Sequence, residues 1–370
     1  MPDDEPPAPD DEPPVTPPRP RRELDESDVR IRPNPRGSRP RTKERPRHED
    51  STPAWVVAVD RGRYTVLLGG PDDPGIQVTA MKARELGRAG VIVGDLVALV
   101  GDVSGAAGSL ARIVRVEERV SLLRRSADDS TDAGDAVERP IVANADQLAI
   151  VTALADPEPR PRLVDRALVA AFDGGLEPLL VLTKADLRDP GPFLAEYAPL
   201  DVPAVVTQLV PDPDGADGER RIEGLGVLRE RLTGRVTVFL GHSGVGKSTL
   251  VNALVPGAAR ATAEVNVVTG RGRHTSSSAI ALALPGGGWV IDTPGVRSFG
   301  LAHVDPDRIV AAFPELLPGT VDCPRGCTHD EPDCGLDAFV ASGAAGPSGP
   351  ARLESLRRLL RSRAGPDAPP

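Results

Sequence analysis

Large apolar residues are almost absent from the first 52 positions, where Pro, Arg, Asp and Glu follow one another without a hydrophobic period. Such a stretch buries too little surface to offset the entropy of ordering it, so residues 1–53 are expected to be a disordered tail. From 54 to 125 the pattern changes. Short apolar runs at 54–60, 64–68, 76–80, 95–100 and 111–117 alternate with turn residues such as Gly69-Gly70, Asp72-Asp73-Pro74-Gly75 and Gly101-Asp102. Five short strands so spaced predict a small β-barrel of the OB-fold kind. Such barrels often hold single-stranded nucleic acid on stacking aromatics. The aromatics available for stacking here are essentially Trp55 and Tyr64.

Residues 126–140 are polar and read as a linker, with a loop over 126–139. Through 141–300, buried strands alternate with helices, which predicts a parallel α/β sheet. Strands are expected at 147–154, 177–182, 202–207, 235–240, 279–284 and 289–291, and helices at 161–172, 225–232 and 250–254. Proline at the start of 161–172 suits a first helical position. Segments 211–221 and 258–278 read as loops. Residues 301–363 predict a helical domain, with one helix around 306–313. Its final helix is made basic by Arg352, Arg357, Arg358, Arg361 and Arg363. Residues 364–370 read as a second disordered tail.

Composition narrows this picture. A length of 370 residues suits two or three domains, and no apolar run is long enough to span a bilayer, so no membrane role is expected. The acidic, proline-rich start is unlike a signal peptide. Three cysteines in so long a chain exclude a disulfide scaffold and point to a reducing cytoplasm. A net charge of −10 argues against nucleic-acid binding by the chain as a whole. Between residues 19 and 47, however, eleven basic residues face five acidic ones, and local charge decides contact with phosphates. The tail is therefore either a solubilising segment or an arm that touches RNA.

The chemistry concentrates at Gly241-His242-Ser243-Gly244-Val245-Gly246-Lys247-Ser248-Thr249, which fits G-x-x-x-x-G-K-[ST]. An apolar strand precedes it and a helix follows, so backbone N–H groups would face an anion at a helix N-terminus. Lys247 is placed to reach the outer phosphates and Ser248 to hold Mg²⁺. Asp292-Thr293-Pro294-Gly295 ends another apolar strand about 45 residues later. Asp292 would order the Mg²⁺ water shell and the Gly295 N–H would bond a γ-phosphate. Thr183-Lys184-Ala185-Asp186 resembles the Asn-Lys-x-Asp guanine-specificity motif. The Asp186 carboxylate can accept two N–H donors from guanine, and the Lys184 stem packs along the base. Thr183 stands where Asn is usual, which is expected to remove an amide that ties this loop to the phosphate loop.

Cys323, Cys327, His329 and Cys334 form C-x3-C-x-H-x4-C. Three thiolates and an imidazole suit a closed, tetrahedral, structural Zn²⁺ site. A Cys323–Cys327 disulfide with a spare thiol is the alternative.

The order of these motifs is diagnostic. The guanine motif comes first, the phosphate loop about 60 residues later, and the Asp292 motif last. The domain therefore reads as circularly permuted, which compact domains with adjacent termini tolerate. With a barrel before it and a Cys/His cluster after it, the chain closely resembles the ribosome small-subunit-dependent GTPase A family from about residue 54 to 360. In that resemblance, the segment containing Gly272-Arg273-His274-Thr275 is the first switch, and Thr275 would coordinate Mg²⁺ or the γ-phosphate. Val296 follows Gly295 where many GTPases place a water-orienting Gln, leaving His274 as the candidate within the chain. Thr207-Gln208 stands where the family has a Ser-Ala loop against the base. Both gaps of the Cys/His cluster are one residue shorter than is usual in the family.

The resemblance implies a multidomain protein with an OB-fold barrel, a central circularly permuted P-loop GTPase domain and a helical zinc-binding domain. It implies GTP/GDP, Mg²⁺ and one structural Zn²⁺, and a monomer acting on the small (30S) ribosomal subunit and its 16S rRNA. GTP would favour subunit binding, subunit contact would stimulate hydrolysis, and GDP would favour release. The rival readings are a small-molecule kinase or ATPase, and an RNA-binding assembly chaperone with slow, clock-like turnover.

Overall fold

The computed structural model describes residues 48, 50–87, 90–126, 138–213, 219–258, 279–293, 301 and 304–363. All of them lie in the unit Arg47–Pro370. The glycine-punctuated apolar runs form β1 (Thr52–Asp60), β2 (Arg63–Gly69), β3 (Pro74–Lys82), β4 (Leu96–Gly101) and β5 (Ala111–Val116). They pair in the order β1-β2-β3-β5-β4, and β4 returns to β1, closing a five-stranded barrel. Only the β3–β5 contact is parallel. Val56, Val66, Val78, Leu99 and Ile113 fill the interior.

Two expectations, one for the barrel and one for the linker, fail. Trp55 and Tyr64 are buried, so neither can stack on a base. The Trp55 indole N–H instead donates to Gly94 O at 3.1 Å, which satisfies its polar edge inside the fold. The segment read as a loop over 126–139 begins and ends in strand: β6 (Leu122–Ser126) pairs antiparallel with β7 (Glu138–Ala143). Leu123 and Val142, paired across this ribbon, are buried, but flanking arginines obscure so short an alternation.

The central domain contains β8 (Gln147–Ala153), α1 (Pro161–Gly174), β9 (Glu177–Thr183), α2 (Gly191–Tyr197), β10 (Ala204–Val206), β11 (Gln208–Pro211) and β12 (Arg220–Glu223). It continues with α3 (Leu225–Leu232), β13 (Val236–Leu240), α4 (Lys247–Leu254), β14 (Ile280–Ala283) and β15 (Trp289–Asp292). The sheet order is β10-β9-β8-β13-β15-β14. The first five strands are parallel, and β14 runs antiparallel to β15 because a short turn joins them. Alternate residues of the central strands serve opposite faces. Leu148, Ile150, Leu180 and Leu182 pack on the α1 side, whereas Ala149, Val151, Leu179 and Val181 pack with α3 and α4. Helix α2 and the β11–β12 hairpin were not anticipated, since each element is too short to show a hydrophobic period.

The last segment folds into α5 (Pro306–Val310), a 3-10 turn (Leu317–Asp322), α6 (Gly335–Ala341) and α7 (Gly349–Arg363). Leu353, Leu356, Leu359 and Leu360 of α7 join the core on the α1 side. Among the described side chains, four arginines of α7 are engaged in ion pairs rather than forming a free basic face. Arg352 pairs with Glu315, Arg357 with Asp337, Arg358 with Glu196, and Arg361 with Asp330. Among the described residues no helix is long and apolar enough to cross a membrane.

Candidate functional site

Strand β13 delivers the chain into the phosphate loop. A Cβ on Gly241 would sit 2.6 Å from Val151 O, so only glycine fits there. Gly244 and Gly246 have φ of 85° and 90°, the left-handed region that side chains avoid. Gly246 caps α4, and Lys247, Ser248 and Thr249 form its first turn. Ser248 and Thr249 are exposed, as a metal or phosphate contact requires. Lys247 Nζ donates to Asp292 Oδ1 at 2.5 Å and to Thr293 O at 3.1 Å. The lysine and the carboxylate at the end of β15 therefore converge, although 45 residues separate them. Thr293 Oγ1 donates to Phe239 O at 2.8 Å, tying the end of β15 to β13. His242 Nδ1 lies 2.9 Å from Ser243 O.

Absence of the usual amide at Thr183 does not leave the guanine loop untied. The buried Thr183 hydroxyl donates to Val245 O at 2.6 Å, inside the phosphate loop. A hydroxyl on the shorter side chain thus makes the link assigned to the missing amide. Lys184 Nζ donates to Asp156 O in the loop after β8, a partner that no sequence motif marked. Asp186 is exposed and open to a base. At the Thr207-Gln208 position, Thr207 O accepts from Ala185 N at 3.3 Å and Thr207 Oγ1 donates to Leu182 O at 3.1 Å. Thr207 therefore braces the guanine loop, and Gln208 is engaged with Glu223. His274, Thr275 and Gly295 lie outside the described residues, as does Val296.

The second cluster lies between α5 and α6. The ligand atoms of Cys323, Cys327, His329 and Cys334 all fall within 4.8 Å of one another. Cys323 Sγ is 3.8 Å from Cys334 Sγ and 3.6 Å from His329 Nδ1. Tetrahedral Zn²⁺ with Zn–S near 2.3 Å demands sulfur separations of about 3.8 Å, so these residues fit that ion. Burial pushes the Cys327 thiol up to about 12 and raises Cys334 as well. A partly buried set of three thiolates packed this closely needs a cation to hold it. The outer contacts also fit, and the sequence did not reveal them. His329 Nε2 faces Asp307 Oδ1 at 3.1 Å, which would aim Nδ1 at the metal, and the His329 carbonyl accepts from Arg357 Nε at 3.1 Å.

Comparison with known proteins agrees with this geometry. The RsgA GTPase family model matches residues 116–302. A small ribosomal subunit biogenesis GTPase RsgA from Chlorobaculum parvum is 38% identical over 315 residues, covering 83% of this chain and 96% of that protein. One of the same name from Pseudomonas aeruginosa is 41% identical over 226 residues, covering 60% of this chain and 64% of its own length. Among solved structures, YjeQ from Thermotoga maritima is similar with a TM-score of 0.58 and 26% identity, covering 85% of this chain and 99% of its own. The circularly permuted GTPase YloQ gives a TM-score of 0.57 over 88% of this chain and 99% of its own; at 20% identity it bears on fold alone.

Proposed function

The chain belongs to the RsgA GTPase family, and from that premise we propose that it hydrolyses GTP in the biogenesis of the small ribosomal subunit. The observation that carries this reading is the convergence of Lys247 on Asp292 beside a guanine loop that Thr183 ties to the phosphate loop. The backbone N–H groups of residues 241–249 and Lys247 hold the phosphates. Asp186 and Lys184 select guanine. Ser248 and Thr275 would hold Mg²⁺ and Asp292 would order its water shell; the ion when bound neutralises charge developing on the phosphates. The Gly295 N–H bonds the γ-phosphate, and His274 orients the water because Val296 cannot. Cys323, Cys327, His329 and Cys334 hold one structural Zn²⁺, which stiffens the α5–α6 segment.

In this reading GTP favours association with the subunit and its 16S rRNA, subunit contact stimulates hydrolysis, and the GDP form leaves. The protein acts as a monomer in the cytoplasm. Single-turnover hydrolysis with and without small subunits, at low salt, is the test. The isolated protein should turn over slowly, at roughly 10⁻⁴ to 10⁻² per second, and subunits should accelerate it. Lys247→Ala should abolish turnover in both conditions. His274→Ala should bind GTP and subunits nearly normally but lose most of the acceleration. A His274→Ala variant stimulated like the parent transfers water positioning to a ribosomal group. A parent that subunits do not accelerate favours the slow-clock chaperone.

A further inference from the structure

The barrel does not merely sit beside the nucleotide domain, because it is hydrogen-bonded into the domain's sheet. Ala58 of β1 pairs with Ile280 of β14, and Ile280 pairs in turn with Asp292 of β15. Asp292 then pairs with Phe239 of β13. One transverse row of backbone therefore runs from the barrel through the carboxylate that meets Lys247 and on to the strand that feeds the phosphate loop. Alternation along β1 puts Val56 in the barrel interior and Val57 in the core on the α1 side, and the register of β1 shifts between Val56 and Ala58, next to the pairing with β14.

The barrel grips the other end of the same hairpin. The Trp289 indole N–H donates to Pro71 O, in the β2–β3 turn, at 2.9 Å. The Trp55 ring meets the Trp289 ring edge-on with centroids 4.7 Å apart. Strands β14 and β15 are only four residues each. In sequence β14 follows the segment holding His274 and Thr275, and β15 ends at Asp292. So short a hairpin takes its position from its neighbours, which are β13 on one side and the barrel on the other.

We propose that the barrel sets the position of Asp292, and thereby the hydrolysis rate, through this grip, with Trp289 as a positioning residue. The inference rests on the GTPase reading above. A barrel displaced by a partner would shift the hairpin as a unit, and displacements well under the width of an atom change rates when groups must align for phosphoryl transfer.

Trp289→Phe keeps an aromatic ring in the site and removes the N–H to Pro71. Expected is a fall in kcat of about three- to tenfold with GTP affinity within about twofold of the parent, a split that loss of uniform binding does not produce. Ile113→Val, in the barrel core and far from the hairpin pairing, serves as the stability control; it should lower the melting temperature and leave kcat unchanged. Equal kcat in Trp289→Phe and parent, or an equal fall in Ile113→Val, overturns the proposal. The chain's two tryptophans both lie at this junction, so intrinsic fluorescence reads it without turnover. If the parent binds Mg-GDP but hydrolyses no GTP, the function reading fails on its own. Emission then decides the coupling: a change on saturating Mg-GDP sustains it, and unchanged emission overturns it.

Discussion

At the scale of single residues, hydrogen-bond chemistry decides whether a substitution relative to a motif matters. Thr183 shows this, because its hydroxyl reaches Val245 O at 2.6 Å from a side chain one atom shorter than Asn. Thr183→Val keeps the shape and orphans a buried carbonyl, which should weaken nucleotide binding or stability by about 1–2 kcal/mol. Thr183→Asn supplies a new donor and should lose less; GDP titration and thermal melts of both variants check the order. Asp186 has a different role, because its exposed carboxylate awaits a base rather than a neighbour. Asp186→Asn should lose about 1.5–3 kcal/mol of GTP affinity and gain relative affinity for xanthosine triphosphate, whose exchanged edge suits an amide. Competition of both nucleotides against labelled GDP measures the switch.

Among elements, the telling contact is that of α1 and α2 with α7. Asp165 of α1 is buried, and burial pushes its carboxyl up to about 6, with the Arg358 guanidinium pulling the other way. Arg358 Nε lies 3.3 Å from Asp165 Oδ1 without hydrogen-bond alignment, and its guanidinium stacks 4.8 Å from the Tyr197 ring centre. Glu196 also faces Arg358, at 3.4 Å. A pKa raised on folding stabilises the native state at low pH and loses that contribution as pH rises through 6. Between pH 5 and pH 8 this loss should amount to about 1.4 kcal/mol. Asp165→Asn removes the titration, so its stability relative to the parent should improve by that amount over the same interval. Urea unfolding of both proteins at the two pH values gives the difference.

For the whole molecule, α7 links the Cys/His cluster to the nucleotide domain. Arg357 binds the His329 carbonyl and Asp337, and Arg361 binds Asp330. On its other side Arg352 reaches Pro199 O at 2.8 Å, and Arg358 reaches α1 and α2. Metal analysis should find about one zinc per chain, and Cys327→Ser should lose it. Loss of zinc should loosen the 305–335 segment, read as faster proteolysis there, while nucleotide binding survives because the core on the α3–α4 side of the sheet, beneath the phosphate loop, lies elsewhere. Equal proteolysis of metal-free and metal-loaded protein would remove the structural role.

What the chain determined by itself is whatever depends on near neighbours in sequence. The strands β8, β9 and β13 were legible as continuous apolar runs because both faces of the sheet are covered. The phosphate loop, the guanine tetrapeptide and the Cys/His spacing were legible because each packs its chemistry into fewer than about fifteen residues. The barrel was legible from its turns, but not the fate of its aromatics: Trp55 looks like a stacking platform until Trp289, 234 positions away, covers it. The tie from Thr183 to Val245, the acid behind His329 and the pairing of the α7 arginines were likewise decided only by tertiary structure. Each joins groups far apart in the chain, and no local spacing encodes which distant carbonyl or carboxylate folding will bring within 3 Å or so.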